Sequence, residues 1–136
     1  MKLLVYAADV SQGKKLLDAV HPYSSNSQLE YHTTIDSLHQ RLRRNGLVNV
    51  IALLMTAGRH ELQHLQRLSG LMTDMKVILV LPDRSRETVS LGHSLYPRFI
   101  SYLDSDFDDV RAVLGNLVQK ADLDILNHNS MEVLHG

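Results

Sequence analysis

Three uninterrupted apolar runs punctuate the chain: Leu3-Leu4-Val5-Tyr6-Ala7, Val50-Ile51-Ala52-Leu53-Leu54-Met55 and Val77-Ile78-Leu79-Val80-Leu81. Runs of this length without alternation describe strands covered on both faces, as in a parallel sheet. Leu29-Glu30-Tyr31-His32-Thr33 alternates instead, and Phe99-Ile100-Ser101-Tyr102-Leu103 is mixed. Those two predict edge strands with a wetter face.

Helical periodicity fills the gaps. Leu16, Leu17 and Val20 share a face that Lys14, Lys15 and Asp18 avoid. Asp36 is placed to cap a helix carrying Leu38 and Leu42, with Gly46 to end it. Leu62, Leu65, Leu68 and Met72 form the stripe of a third helix. A fourth is expected around Arg86 to Tyr96, although Gly92 inside it costs about 1 kcal/mol relative to Ala. In the fifth, Val110, Val113, Leu114, Leu117 and Val118 recur at helical spacing behind Asp106, Asp108 and Asp109, whose carboxylates suit a helix start.

Five strand–helix repeats imply an α/β domain: a three-layer α/β/α sandwich around a parallel sheet, with right-handed crossovers. Ligands of such a sheet gather beyond the carboxyl ends of its strands. The loops to watch are therefore 8–13, 56–59, 82–85 and 104–108. The 136 residues suit one domain, expected over 1–122, with 123–136 as a C-terminal tail or helix extension.

Composition narrows the chemistry. There is no cysteine, which excludes disulfides, thiolate zinc sites and a cysteine nucleophile, and fits a reducing compartment. The formal charge of −1 supplies no field toward nucleic acid or an anionic membrane. The apolar start Met1–Ala8 is broken by Asp9, too early for a signal-peptide core, and no run approaches the ~20 residues that span a bilayer. A cytoplasmic protein is expected.

With the strands ordered, Ser101-Tyr102-Leu103-Asp104-Ser105-Asp106-Phe107-Asp108 resembles the fifth-strand and final-helix segment of response-regulator receiver domains. The resemblance spans roughly residues 2–121 and implies a flavodoxin-like sheet of order 2-1-3-4-5, with Tyr102 at the position of the family's aromatic switch. The family's chemistry does not follow. Its acidic pair falls at Ala7 and Ala8, with only the next residue, Asp9, acidic. Its phosphoacceptor falls at Leu54 (Met55 or Thr56 if the register slips), its hydroxyl residue at Leu81 and its lysine at Ser105. Without a carboxylate nucleophile no phosphoaspartate forms, and without the acidic pair Mg²⁺ lacks oxygen ligands.

The resemblance thus implies an atypical, or pseudo-, receiver: a non-catalytic signalling or adaptor domain of the two-component type. It would need no cofactor and act on protein partners, a homodimer among them. Its working surface would be the fourth helix, fifth strand and fifth helix, with His93, Arg98, Tyr102 and Arg111 as the residues to test.

Other motifs carry different readings. His60-Glu61-Leu62-Gln63-His64 matches the H-E-x-x-H zinc-hydrolase string, but no third ligand follows at suitable spacing. On the helical wheel His60 and His64 flank the apolar stripe on the solvent side, while Glu61 leans toward the core. A metal-dependent hydrolase on these residues is the competing reading, and a small-ligand site beside Asp9 and Asp83 is another. Arg41, Arg43 and Arg44 complement a helix C-terminus, and no aromatic is interleaved among them for base stacking. Gly13-Lys14 fits neither phosphate-loop pattern.

Overall fold

A computed structural model describes residues 2–23, 28–44 and 46–120; the expected tail lies outside them. Strands β1 (Lys2–Ala7), β2 (Leu29–His32), β3 (Val50–Met55), β4 (Lys76–Leu81) and β5 (Phe99–Tyr102) alternate with helices α1 (Val10–Val20), α2 (Ile35–Arg43), α3 (Arg59–Arg67) and α4 (Arg86–His93). A fifth helix, α5, covers 108–120. The strands pair in the order β2-β1-β3-β4-β5, all parallel. This is the parallel α/β sandwich that the apolar runs predict, with the flavodoxin-like strand order that the receiver resemblance implies.

Alternation along each strand sorts side chains into two cores. Leu4, Tyr6, Ala52, Leu54, Leu79 and Leu81 pack with Leu38 and Leu42 of α2 and Leu62 and Leu65 of α3, and with Val89 and Leu91 of α4. Leu3, Val5, Ala7, Ile51, Leu53, Met55, Ile78 and Val80 pack with Leu16 and Val20 of α1 and with Val110 and Leu114 of α5. β1, β3 and β4 carry large aliphatics on both faces because a layer of helices covers each face. β2 and β5, at the edges, stay half-buried.

Three details differ from the sequence expectation. α3 stops at Arg67, so Leu68 and Met72 of the expected stripe lie beyond it, though both are buried. Thr34, not Asp36, caps α2, its hydroxyl accepting from the Ser37 N–H at 3.1 Å; Asp36 sits within the first turn, where its charge still meets the helix dipole. α4 stops at His93, short of Tyr96. Gly92 has a packing reason: a Cβ there would lie 3.1 Å from Leu81, so the missing side chain lets α4 settle onto β4.

The β2 edge is tied down by charge. Glu30 accepts from Arg41 of α2 through two nitrogens and from Lys2 of β1, so one carboxylate joins three elements. His32 beside it meets Ser37 Oγ through Nδ1 at 2.6 Å, and its Nε2 stands 3.5 Å from Glu30. Hydrogen bonding from Arg41, reinforced by Lys2 and opposed by burial, holds the Glu30 carboxyl down to about 2 from its usual 4.5.

Because the folded value is the lower one, the unfolded chain takes up this proton first as pH falls. The stabilisation is complete above pH 4.5 and drains away toward pH 2. Allowing for the quarter-exposed side chain, about 1–2 kcal/mol is expected to vanish over that window. Urea midpoints measured from pH 6 to 2 test this, and Glu30→Gln is expected to flatten the profile.

Candidate functional site

The pairing register places the carboxyl edge of the sheet. Ala7 lies beside Met55, Met55 beside Val80, and Tyr6 beside Leu54. Leu54 is therefore one row below the rim, fully buried in the α2–α3–α4 core, and the third strand reaches the rim through Met55 and Thr56. No residue at any of these three positions carries a carboxylate. Ala7 is buried and Ala8 exposed. Asp9 is the acid left at this corner, and its Oδ1 accepts from the Gln12 N–H at 2.8 Å as the cap of α1.

The polar side chains buried at this end all bond inward. Thr56 donates its hydroxyl to the Val80 carbonyl at 3.2 Å. Thr88 accepts from Ser85 Oγ at 2.9 Å. Ser101 donates to Asp109 Oδ2 at 2.8 Å and meets Ser105 Oγ at 3.1 Å, while Ser105 Oγ accepts the Phe107 N–H at 3.1 Å. Ser105 thus belongs to a hydroxyl chain that fastens the β5–α5 loop to α5. A satisfied network of this kind rigidifies its surroundings.

Ion pairs brace the loops above. Arg59 at the start of α3 pairs with Glu87 of α4. Arg84, in the β4–α4 loop, pairs with Asp104 in the β5–α5 loop and stacks its guanidinium over the Tyr102 ring, 4.1 Å from the centroid. Arg84 in turn holds the Asp104 carboxyl below its usual range, and the Ser85 backbone N–H does the same for Asp83. Sequence reasoning finds Tyr102 but not Arg84, since the two residues meet only across strands.

The H-E-x-x-H string divides as the helical wheel predicts. His60 and His64 are exposed on α3. Glu61 turns inward: Oε2 accepts from the Tyr6 hydroxyl at 2.5 Å and Oε1 from the Ala57 N–H at 2.9 Å. A general base needs a carboxylate within reach of a metal-bound water, and this one is committed to a buried phenol and a loop. Burial first, then the hydrogen bond and the negative charge of Glu61, push the Tyr6 hydroxyl far above its ordinary value of 10. Among the described residues no three His, Asp or Glu side chains stand close enough to hold a metal ion.

The residues expected to form a working surface fall into two groups. His93 ends α4, Arg98 precedes β5 and Tyr102 ends β5; His93 and Arg98 are exposed and Tyr102 is half-buried. Arg111 lies apart from them. It pairs with Asp108 and lines a cleft between α1 and α5 with Lys15, Asp18, Asp106 and Phe107. A second cleft, bordered by Leu42, Val48, Asn49, Leu71 and Met75, opens at the opposite, amino edge of the sheet. Neither is lined by Asp9 or Asp83.

No family model and no curated protein matches the chain. Solved structures share its fold. A candidate pilus assembly-related protein from Burkholderia pseudomallei superposes with a TM-score of 0.69 at 18% identity, over 88% of this chain and 90% of that one. A candidate pilus assembly protein, CpaE, from Burkholderia thailandensis gives 0.68 at 18% identity, over 88% of this chain and 98% of that one. Among the described residues no helix is long and apolar enough to cross a membrane. The chain is similar in fold, across most of its length, to proteins described in connection with pilus assembly.

Proposed function

We propose that this domain is a receiver-like adaptor that works by binding protein partners in a fixed conformation, without accepting a phosphoryl group. The observation that carries this reading is the carboxyl rim, where Ala7, Ala8, Met55 and Thr56 stand in place of oxygen ligands and nucleophile and the surrounding loops are cross-braced by Arg59–Glu87 and Arg84–Asp104. Aspartyl phosphorylation needs a carboxylate and a divalent ion together, and the ends of β1 and β3 supply one acid, Asp9, already used as a helix cap. The working surface would be α4 and β5, with His93, Arg98 and Tyr102 in it and Arg111 on its α5 flank. The structural neighbours suggest the setting: assembly of a pilus machine, with this domain docking one of its components.

Beryllofluoride with Mg²⁺ is expected to leave the backbone amide shifts unchanged. Saturable shifts over Leu54 to Gly58 would refute the loss of phosphoryl chemistry. Photo-cross-linkers placed at positions 93, 98 and 102 in cells are expected to form discrete adducts. A cross-linker at Gln40, exposed on α2 toward the opposite, β2 edge of the sheet, is expected to form none. Adducts at Gln40 alone would refute the assigned surface.

A further inference from the structure

Among the described residues, three that are not glycine adopt left-handed backbone: Asn49, Tyr96 and Phe107, with φ of 53°, 51° and 64°. Asparagine tolerates this region. Phe107 is 3% exposed, so its ring packs into the α1–α5 core and offsets the strain. Tyr96 has neither excuse. It is an aromatic residue directly before Pro97 in the α4–β5 connection, and its side chain is 87% exposed. The left-handed turn itself is ordinary helix termination, a role that glycine or asparagine fills at lower cost. What the chain retains there is a presented phenol.

Tyr96 lies three residues before β5, the last strand at this end of the sheet. Among the described residues, β5 pairs with β4 on one side and with no strand on the other. Residues 88–103 contain no Asp or Glu, although the chain as a whole is slightly acidic. Exposed along this stretch are His93, Tyr96 and Arg98, and Arg98 has no charged partner among the described residues. Alternation puts Arg98 on the same side of β5 as Tyr102, roughly 13 Å away at the rise of an extended chain.

On the reading that α4 and β5 form the working surface, we propose that its partner is an extended, acidic segment of another protein that adds to the outer edge of β5. Main-chain hydrogen bonds to β5 would give affinity, carboxylates on alternate residues would meet Arg98 and His93, and Tyr96 would insert into the partner as an anchor. The backbone strain at Tyr96 is retained for this contact.

The test titrates the full chain with a fluorescein-labelled Glu-Val alternating hexapeptide, and with a Lys-Val hexapeptide of the same length, by anisotropy. The Glu-Val peptide is expected to bind saturably and the Lys-Val peptide not to bind. Arg98→Glu is expected to weaken the Glu-Val peptide about tenfold or more. Tyr96→Gly is expected to weaken it similarly while raising the melting midpoint, because glycine relieves the left-handed position. A structural role for Tyr96 would lower the midpoint instead, and that result overturns the assignment. Failure of the Glu-Val peptide to bind, or binding indifferent to both substitutions, overturns the acidic-strand inference. If cross-linking still maps to positions 93, 98 and 102, the working surface stands without it; if cross-linking avoids them, both fall.

Discussion

Leu54→Asp is expected to unfold the domain at neutral pH rather than to restore a phosphoacceptor. Leu54 is fully buried, with Leu38, Leu62, Leu65, Leu79 and Leu81 in the same core. A carboxylate there has no cation to pair with, so it must be neutralised to stay folded. Protonating an aspartate of ordinary value near 3.9 at pH 7 costs about 4 kcal/mol at 1.36 kcal/mol per pH unit. Losing the buried leucine adds about 2 kcal/mol. The sum, about 6 kcal/mol, matches or exceeds the whole stability of a domain at the lower end of the typical range of about 5–15 kcal/mol.

The sign with pH is specific. The introduced group has a raised folded value, so the protonated form is the one that folds and the penalty shrinks as pH falls toward 4. Chemical denaturation of Leu54→Asp and Leu54→Asn at pH 7 and 4.5 checks this. The aspartate variant should recover several kcal/mol on acidification and the asparagine variant almost none. An aspartate variant as stable as the parent at pH 7 would mean that the site is wet or paired, against the packing described.

The second large effect belongs to Glu61. Glu61→Ala removes the acceptor of the buried Tyr6 hydroxyl and the partner of the Ala57 N–H together. An unsatisfied buried hydroxyl costs about 1–3 kcal/mol, and the lost link between α3 and its preceding loop adds to it. A destabilisation of about 2–3 kcal/mol is expected. Tyr6→Phe in the Glu61→Ala background is expected to restore part of it, because the orphaned hydroxyl is gone.

Alkali provides an independent check. The Tyr6 hydroxyl is raised well above 10 in the folded chain, so the folded state keeps a proton that the unfolded chain releases above that pH. Stability is complete below pH 10 and falls as pH rises beyond it. Tyr6→Phe should remove that slope. The same contact has a bearing on function: a Glu61 engaged in this way is unavailable to a metal centre between His60 and His64.

Much of the fold is readable from particular residues. Val77 to Leu81 has no polar side chain to turn toward water, so it has to be covered on both faces, and it is. Glu30 and His32 alternate with Leu29 and Tyr31, and that strand lies at an edge. Cap assignment is less readable: Thr34 and Asp36 are both competent, and the choice depends on which residue takes extended backbone, with φ −129° and ψ 152° at Thr34. The end of α4 is similar, since Leu91, Leu95 and Tyr96 continue an apolar pattern that the left-handed turn at Tyr96 interrupts.

The candidate site divides in the same way. The absence of an acid at Ala7, at Ala8 and at the end of β3 is a property of residue types, visible along the chain. Their depth is not: Leu54 lies one row below the rim because β1 and β3 pair with Tyr6 opposite Leu54, a register that no local pattern states. The placement of Arg111 beside α1 likewise follows from the rotation of α5 against the sheet.

By itself, then, the order of apolar and polar residues determined five strands, five helices and a sheet buried on both sides, because periodicity and residue type act locally. Only tertiary structure decided that Glu61 serves Tyr6, that Arg84 clasps Tyr102 and Asp104, and that Tyr96 stands exposed on strained backbone. Those contacts join residues from different elements or depend on burial, and their energies exist only once the sheet has brought them together.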